Sequence, residues 1–105
     1  MPAAKPGEIW IVDLGMAAKV RPCLILTPPP RGDELNTFTV VAHATAIRGS
    51  RWELQIPKPY LEDEGAFDVQ RIATVASVKL ERKLGELSHE ELDSILDRLA
   101  ERFGI

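Results

Sequence analysis

The chain has 105 residues, 45% of them hydrophobic and 28% charged, with a formal net charge of −3. That size fits one domain over residues 1–105 and leaves little room for a second. No apolar run approaches the roughly 20 residues that span a bilayer, and no apolar signal core follows Met1 to Gly7, so the chain is expected to act in the cytoplasm. The acidic balance argues against a broad nucleic-acid-binding face. Its distribution permits a local anion site, because residues 1–60 carry 7 Lys and Arg against 5 Asp and Glu, while residues 61–105 carry 6 against 11.

Glu8 to Leu14 (EIWIVDL) is a short β-branched and aromatic run between Pro6-Gly7 and Gly15, which predicts a buried strand. Gly15 to Val20 is a connection rich in small side chains. Arg21 to Thr27 (RPCLILT) is a second buried strand, stopped by Pro28-Pro29-Pro30. Pro22 belongs at a strand's beginning or edge because it cannot donate to a ladder. Cys23 is the single cysteine, so an intrachain disulfide is excluded. Its apolar surroundings make it a core residue.

Arg31 to Asn36 is polar and loop-like, and Thr37 to Ile47 (TFTVVAHATAI) is strand-forming. Gly49-Ser50 suggests a hairpin turn. Trp52, Leu54 and Ile56 alternate with Glu53 and Gln55, the period of a half-exposed strand. Pro57, Pro59 and Glu62 to Gly65 form a loop, Phe67 to Val75 is a further strand, and Lys83 to Leu87 adds a short last one. Ser88-x-x-Glu91 is a capping box, with Leu87 and Leu92 as a hydrophobic staple. Leu92, Ile95, Leu96, Leu99 and Phe103 then form one helical apolar stripe that ends at Gly104. Five or six short strands followed by one amphipathic helix predict a mainly β fold: a small barrel or curved sheet with the helix packed on it.

Phosphate-binding Gly-rich loops, nucleophile elbows and zinc-protease signatures are absent, and two histidines 46 positions apart make no metal site. Three polar positions inside apolar strands carry what chemistry there is. Arg21 is either a strand-end arginine covering apolar surface or an anion fork fixed by Pro22, since a guanidinium matches phosphate oxygens bidentately. Thr45 is either a turn-capping hydroxyl or a phosphate contact. His43 precedes it by two residues and would share its face in an unbroken strand. It is either a satisfied structural imidazole or a proton shuttle. Gln70 and Arg71, within FDVQRIATV, are either structural bridges or readers of a base edge. Trp10 and Trp52 fit packing roles better than base stacking.

Taken together, Gly7-Glu8-Ile9-Trp10-Ile11-Val12-Asp13-Leu14, Arg21-Pro22-Cys23-Leu24-Ile25-Leu26-Thr27, Val40 to Thr45 and Phe67 to Val75 resemble, in order and spacing, the strands of the MazF/PemK toxin family. The resemblance implies an SH3-like barrel with a C-terminal helix, the fold of CcdB- and MazF-like toxins, and usually a homodimer. It also implies a type II toxin–antitoxin toxin: an endoribonuclease that cuts single-stranded RNA without a metal or cofactor. The products would carry 2′,3′-cyclic phosphate and 5′-hydroxyl ends, and a cognate antitoxin would neutralise the enzyme. Arg21 matches the family's catalytic arginine and Thr45 its phosphate-binding threonine. Lys19, His43, Arg48, Gln70 and Arg71 are the accompanying candidate RNA contacts. An arginine is a poor base, so Arg21 is expected to stabilise charge on the cleaving phosphate or to donate a proton.

Two features depart from the family pattern. The loop before Arg21 is the short Gly15-Met16-Ala17-Ala18-Lys19-Val20, where the family often has Gly-x-Glu-Gln-x-Gly. After Gln70, the usual apolar-then-basic order is reversed to Arg71-Ile72, which turns Arg71 towards the apolar face unless the strand carries a bulge. Two alternative functions go with the same fold: a gyrase-poisoning toxin, whose expected C-terminal pattern is missing from Glu101-Arg102-Phe103-Gly104-Ile105, and a non-catalytic RNA-binding domain.

Overall fold

The computed structural model describes residues 3–15 and 19–105; the central part of the short loop before Arg21, residues 16–18, lies outside them. Its elements are strands β1 (Glu8–Asp13), β2 (Val20–Ile25), β3 (Thr37–Ala44), β4 (Glu53–Leu54), β5 (Ala66–Ala76) and β6 (Leu80–Glu86), then helix α1 (His89–Phe103). The strands form one six-stranded sheet in the order β4-β5-β3-β2-β1-β6, and every described pairing is antiparallel. The expected class, mainly β with a C-terminal helix, is the one observed. The expected barrel is open in hydrogen-bonding terms, with β4 and β6 as its unjoined edges.

Among the strand boundaries that differ from the sequence expectation, three have a local reason. The third strand stops at Ala44, because the Ile47 N–H turns back onto the Thr45 carbonyl at 3.0 Å. The strand expected over Trp52 to Ile56 is reduced to Glu53–Leu54, with Pro57 and Pro59 beyond it unable to donate to a ladder. The last strand begins at Leu80, earlier than Lys83, after a 3₁₀ turn at Ser77–Lys79. The buried Ser77 hydroxyl anchors that turn, 2.7 Å from the Asn36 side-chain oxygen. The charged run Glu81-Arg82-Lys83 is solvent-exposed on this edge strand, which hid it from a hydrophobicity pattern.

Strands β2 and β3 are central and buried on both faces, so Cys23-Leu24-Ile25 and Val40-Val41-Ala42 are continuous apolar runs. One face holds Ile9, Leu24, Val41, Phe67 and Val69 against Ile95 and Leu99 of α1. The other gathers Val12, Cys23, Ile25, Phe38, Val40, Ala42 and Leu80. Each large side chain so buried stabilises the fold by roughly 1.5–3 kcal/mol before entropy costs. Cys23 is a core residue, as expected. Burial pushes its thiol up to about 12, with the nearby Arg21 charge opposing.

The helix begins as the sequence predicts. The Glu91 N–H donates to Ser88 Oγ at 3.2 Å, and the Ser88 N–H donates to Glu91 Oε1 at 2.8 Å. Gly104 ends it at φ 73°, a left-handed conformation that glycine adopts without penalty. The apolar stripe is narrower than expected: Ile95 and Leu99 are buried, while Leu96 and Phe103 are 42% and 64% exposed.

Candidate functional site

Antiparallel pairing brings the head of β2 and the tail of β3 to one end of the sheet, through Cys23↔Ala42. The head of β5 joins them through His43↔Phe67 and Ala44↔Ala66. Paired residues share a face and successive residues alternate. Arg21 therefore lies on the face of Cys23, Ala42, Ala44 and Ala66, and so does Asp68, which pairs with Glu53.

The β3–β5 ladder is broken at this end. Val41 pairs with Ile72, yet His43 pairs with Phe67, so Asp68 to Arg71 stand opposite Ala42 alone. This large bulge interrupts the alternation. Phe67, Val69 and Ile72 all pack towards the helix-side core, while the consecutive Gln70 and Arg71 are both exposed. The reversed Arg71-Ile72 order is accommodated in that way, with Arg71 outside and Ile72 inside.

Gln70 and Arg71 line a cleft of about 240 Å³ together with Arg48, Ser50, Glu53 and Asp68. Its walls are held from several directions. Glu53 accepts the Arg48 N–H at 2.8 Å and the Ser50 N–H at 2.6 Å, and these backbone bonds hold its carboxyl below the usual carboxylate range. Asp68 accepts the Gln70 N–H through Oδ1 at 2.9 Å and faces Arg71 Nε through Oδ2 at 3.3 Å. The 48–53 loop is also tied to α1. Arg98 donates to the Arg51 carbonyl, and Arg51 pairs with Glu101 at 3.4 Å. The Trp52 ring has Arg51 at 4.2 Å and Arg102 at 5.4 Å from its centroid, a packing role consistent with the expectation for this residue.

Of the residues singled out from sequence, Arg48, Gln70 and Arg71 meet in this cleft. Arg21 is half-buried at the head of β2, two strands away. Thr45 is exposed in the bend just after β3, and Lys19 is exposed beside β2 with φ 59°. His43 is a correction. Its ring packs edge-on against Phe67, with centroids 5.0 Å apart, and its pairing with Phe67 puts it on the face opposite Arg21. Only 3% exposed, and held by burial below the usual imidazole pKa, it is unsuited to contact RNA. Nor does it share a face with Thr45, because the strand ends between them. Sequence reasoning placed neither Ser50 nor Glu53 in the site, and it set Asp68 aside as one place out of register with the position before Gln70. Glu53 carried the signal of an ordinary outward strand residue, and Asp68 only proximity to Gln70. Among the described residues, no group of three or more His, Cys, Asp or Glu side chains is placed to hold a metal ion. No helix there is long and apolar enough to cross a membrane.

Fold and cleft together define a small mainly β protein with one C-terminal helix and a polar recess at one end of its sheet. Residues 5–103 match the family model described as PemK-like, MazF-like toxin of type II toxin–antitoxin system, and the chain belongs to that family. No curated protein sequence matches it significantly. Among solved structures, it is similar to an endoribonuclease in complex with its cognate antitoxin from a mycobacterial species, with 23% identity, TM-score 0.79, and coverage of 98% of this chain and 97% of that one. A MazE–MazF structure from Deinococcus radiodurans is 15% identical with TM-score 0.79, covering 100% of this chain and 99% of that one. The Mycobacterium tuberculosis toxin MazF-mt6 is 23% identical with TM-score 0.72, covering 93% of this chain and 97% of that one.

Proposed function

We propose that the chain is a sequence-specific endoribonuclease toxin that cuts single-stranded RNA without a metal and thereby halts translation. The observation that carries this reading is Arg21, half-buried at the head of β2, on the same face and at the same end of the sheet as the cleft of Arg48, Gln70 and Arg71. In the reaction, a 2′-hydroxyl attacks the adjacent phosphorus in line and loses its proton. The P–O5′ bond breaks, and the leaving oxygen takes up a proton to become a 5′-hydroxyl, leaving a 2′,3′-cyclic phosphate. Negative charge grows on the non-bridging oxygens in the transition state. Arg21 stabilises that charge from a fixed position, which requires little reorganisation at the moment of reaction. Thr45 donates its hydroxyl to a phosphate oxygen, and Lys19, Arg48, Gln70 and Arg71 hold the strand. The partners that go with this reading are a cognate antitoxin, which the mycobacterial and Deinococcus structures contain, and a second copy of the chain in a homodimer. The cytoplasm is the compartment where its RNA would be met.

The test is direct. Purified protein incubated with mixed single-stranded RNA in excess chelator yields discrete fragments with 5′-hydroxyl ends, and Arg21→Ala abolishes them. No cleavage by the wild-type protein at micromolar concentration refutes the proposal.

A further inference from the structure

We infer that the cleft between the 48–53 loop and the β5 bulge is a base-reading subsite that selects a keto base, guanine or uracil, beside the cut. The inference rests on the endoribonuclease reading for its biological meaning, but its chemistry is independent of cleavage.

The cleft holds two guanidiniums, Arg48 and Arg71, and two carboxylates, Glu53 and Asp68, so its formal charge is zero. A phosphate would meet two carboxylates as well as two arginines. A neutral, planar, hydrogen-bonding group meets no such penalty.

Both Glu53 oxygens accept backbone N–H groups of the loop. Both Asp68 oxygens are engaged, by the Gln70 N–H and by Arg71. The carboxylates therefore act as internal braces. Among the described residues, the Gln70 carboxamide and the Arg48 guanidinium have no side-chain hydrogen bond, and Arg71 pairs only through Nε. The cleft thus presents more unengaged N–H donors, on Arg48, Arg71 and the Gln70 amide, than acceptors, which are the Gln70 oxygen, the Ser50 hydroxyl and the remaining lone pairs of the two carboxylates. Guanine offers O6 and N7 as adjacent acceptors, and arginine grips these bidentately. Uracil offers two carbonyls flanking one N–H, which suits guanidinium donors around the Gln70 oxygen. Adenine and cytosine place an amino donor where these bases carry a carbonyl, so the guanidinium donors of Arg48 and Arg71 would face a donor, and only the fewer acceptors of the cleft, the Gln70 oxygen foremost, could meet it.

Asp68 and Glu53 share a sheet face with Arg21, and β5 is two strands from β2 in the sheet, about 10 Å at ordinary strand spacing. A base in the cleft therefore belongs to a nucleotide flanking the one at Arg21.

The experiment measures binding of uncleavable 2′-deoxy octamers that are abasic except for a single G, U, A or C, alongside sequencing of cut sites in a randomised RNA pool. Wild-type protein should bind the G or U octamer roughly 5- to 150-fold more tightly than the A and C octamers, the range expected for one good base contact. The same keto base should appear at one fixed position beside the cut. Gln70→Glu turns the free amide into an acceptor-only group and should move the preference towards A or C. Arg71→Ala should erase the preference. Both residues are exposed, and melting curves verify that the variants fold. Equal affinity for all four octamers, a wild-type preference for A or C, or variants that weaken every octamer alike as a phosphate contact would, overturns the inference. If no RNA is cut but the octamers are discriminated as stated, the nuclease reading fails and the subsite stands.

Discussion

A methyl group added at Gly65 has no space to occupy. Its Cβ would run into the His43 ring and lie 3.0 Å from the Ala44 carbonyl oxygen. The ring cannot swing aside, because it stands at 75° to the buried Phe67 ring and is itself almost fully buried. Gly65→Ala therefore forces a shift in the tail of β3 or in the core, and overpacking of this kind typically costs about 1–3 kcal/mol. In a domain of this size each kcal/mol lowers the melting temperature by about 4–8 °C, so the expected fall is on the order of 4–24 °C. Thermal melts followed by circular dichroism measure it. The sharper measurement is the cycle with His43→Ala. Removing the ring relieves the larger clash and leaves only the Ala44 carbonyl, so the two substitutions together should cost at least about 1 kcal/mol less than their separate costs combined. Should Gly65→Ala melt with the wild type, or cost the same with and without the His43 ring, the placement of His43 beneath this loop is wrong.

His43 also makes a functional prediction: His43→Gln should cleave RNA within a few-fold of wild type, whereas Arg21→Ala should lose roughly 10²–10³ or more in rate. The same residue sets an acid sensitivity. Its folded-state pKa lies below the unfolded value of about 6.5, so the unfolded chain takes up the proton first. Stability should be intact above that pH and fall as pH drops below it, and His43→Gln should flatten this part of a urea-midpoint profile. Burial pushes the Glu8 carboxyl up, but hydrogen bonds from Trp10, the Lys5 N–H and Lys83 outweigh it and hold the carboxyl below its ordinary value. Glu8→Gln should lower stability near neutral pH by about 1 kcal/mol, and the gap should close as pH falls through the lowered carboxyl pKa, read from paired denaturation curves. Arg98→Ala frees the Arg51 carbonyl from α1. It should redshift tryptophan emission as Trp52 becomes wetter and weaken RNA binding at the 48–53 loop, with little change when Arg98→Lys keeps a donor.

The elements themselves were legible because their signals are local. Apolar runs bounded by Gly and Pro marked β1, β2, β3 and β5, and Ser88 with Glu91 marked the helix start by a bond that spans only three residues. The lone Cys23, set among Leu24, Ile25 and Leu26, was readable as core for the same reason. The motif Arg21-Pro22 and the order of strands around it carried the family resemblance, which the match over residues 5–103 bears out.

The tertiary structure alone decided what faces what. An unbroken alternation would have set His43 beside Thr45 and buried Arg71, but β3 ends between His43 and Thr45, and the bulge opposite Ala42 turns Arg71 outward. That bulge arises from β3 and β5 pairing across more than twenty residues of chain, so no local period contains it. Glu53 and Asp68 look like ordinary surface acids in sequence. Only strand pairing sets them side by side as braces for Arg48, Ser50, Gln70 and Arg71. Periodicity fixes how a strand divides its residues between two faces; the register between distant strands fixes which residues then share a site.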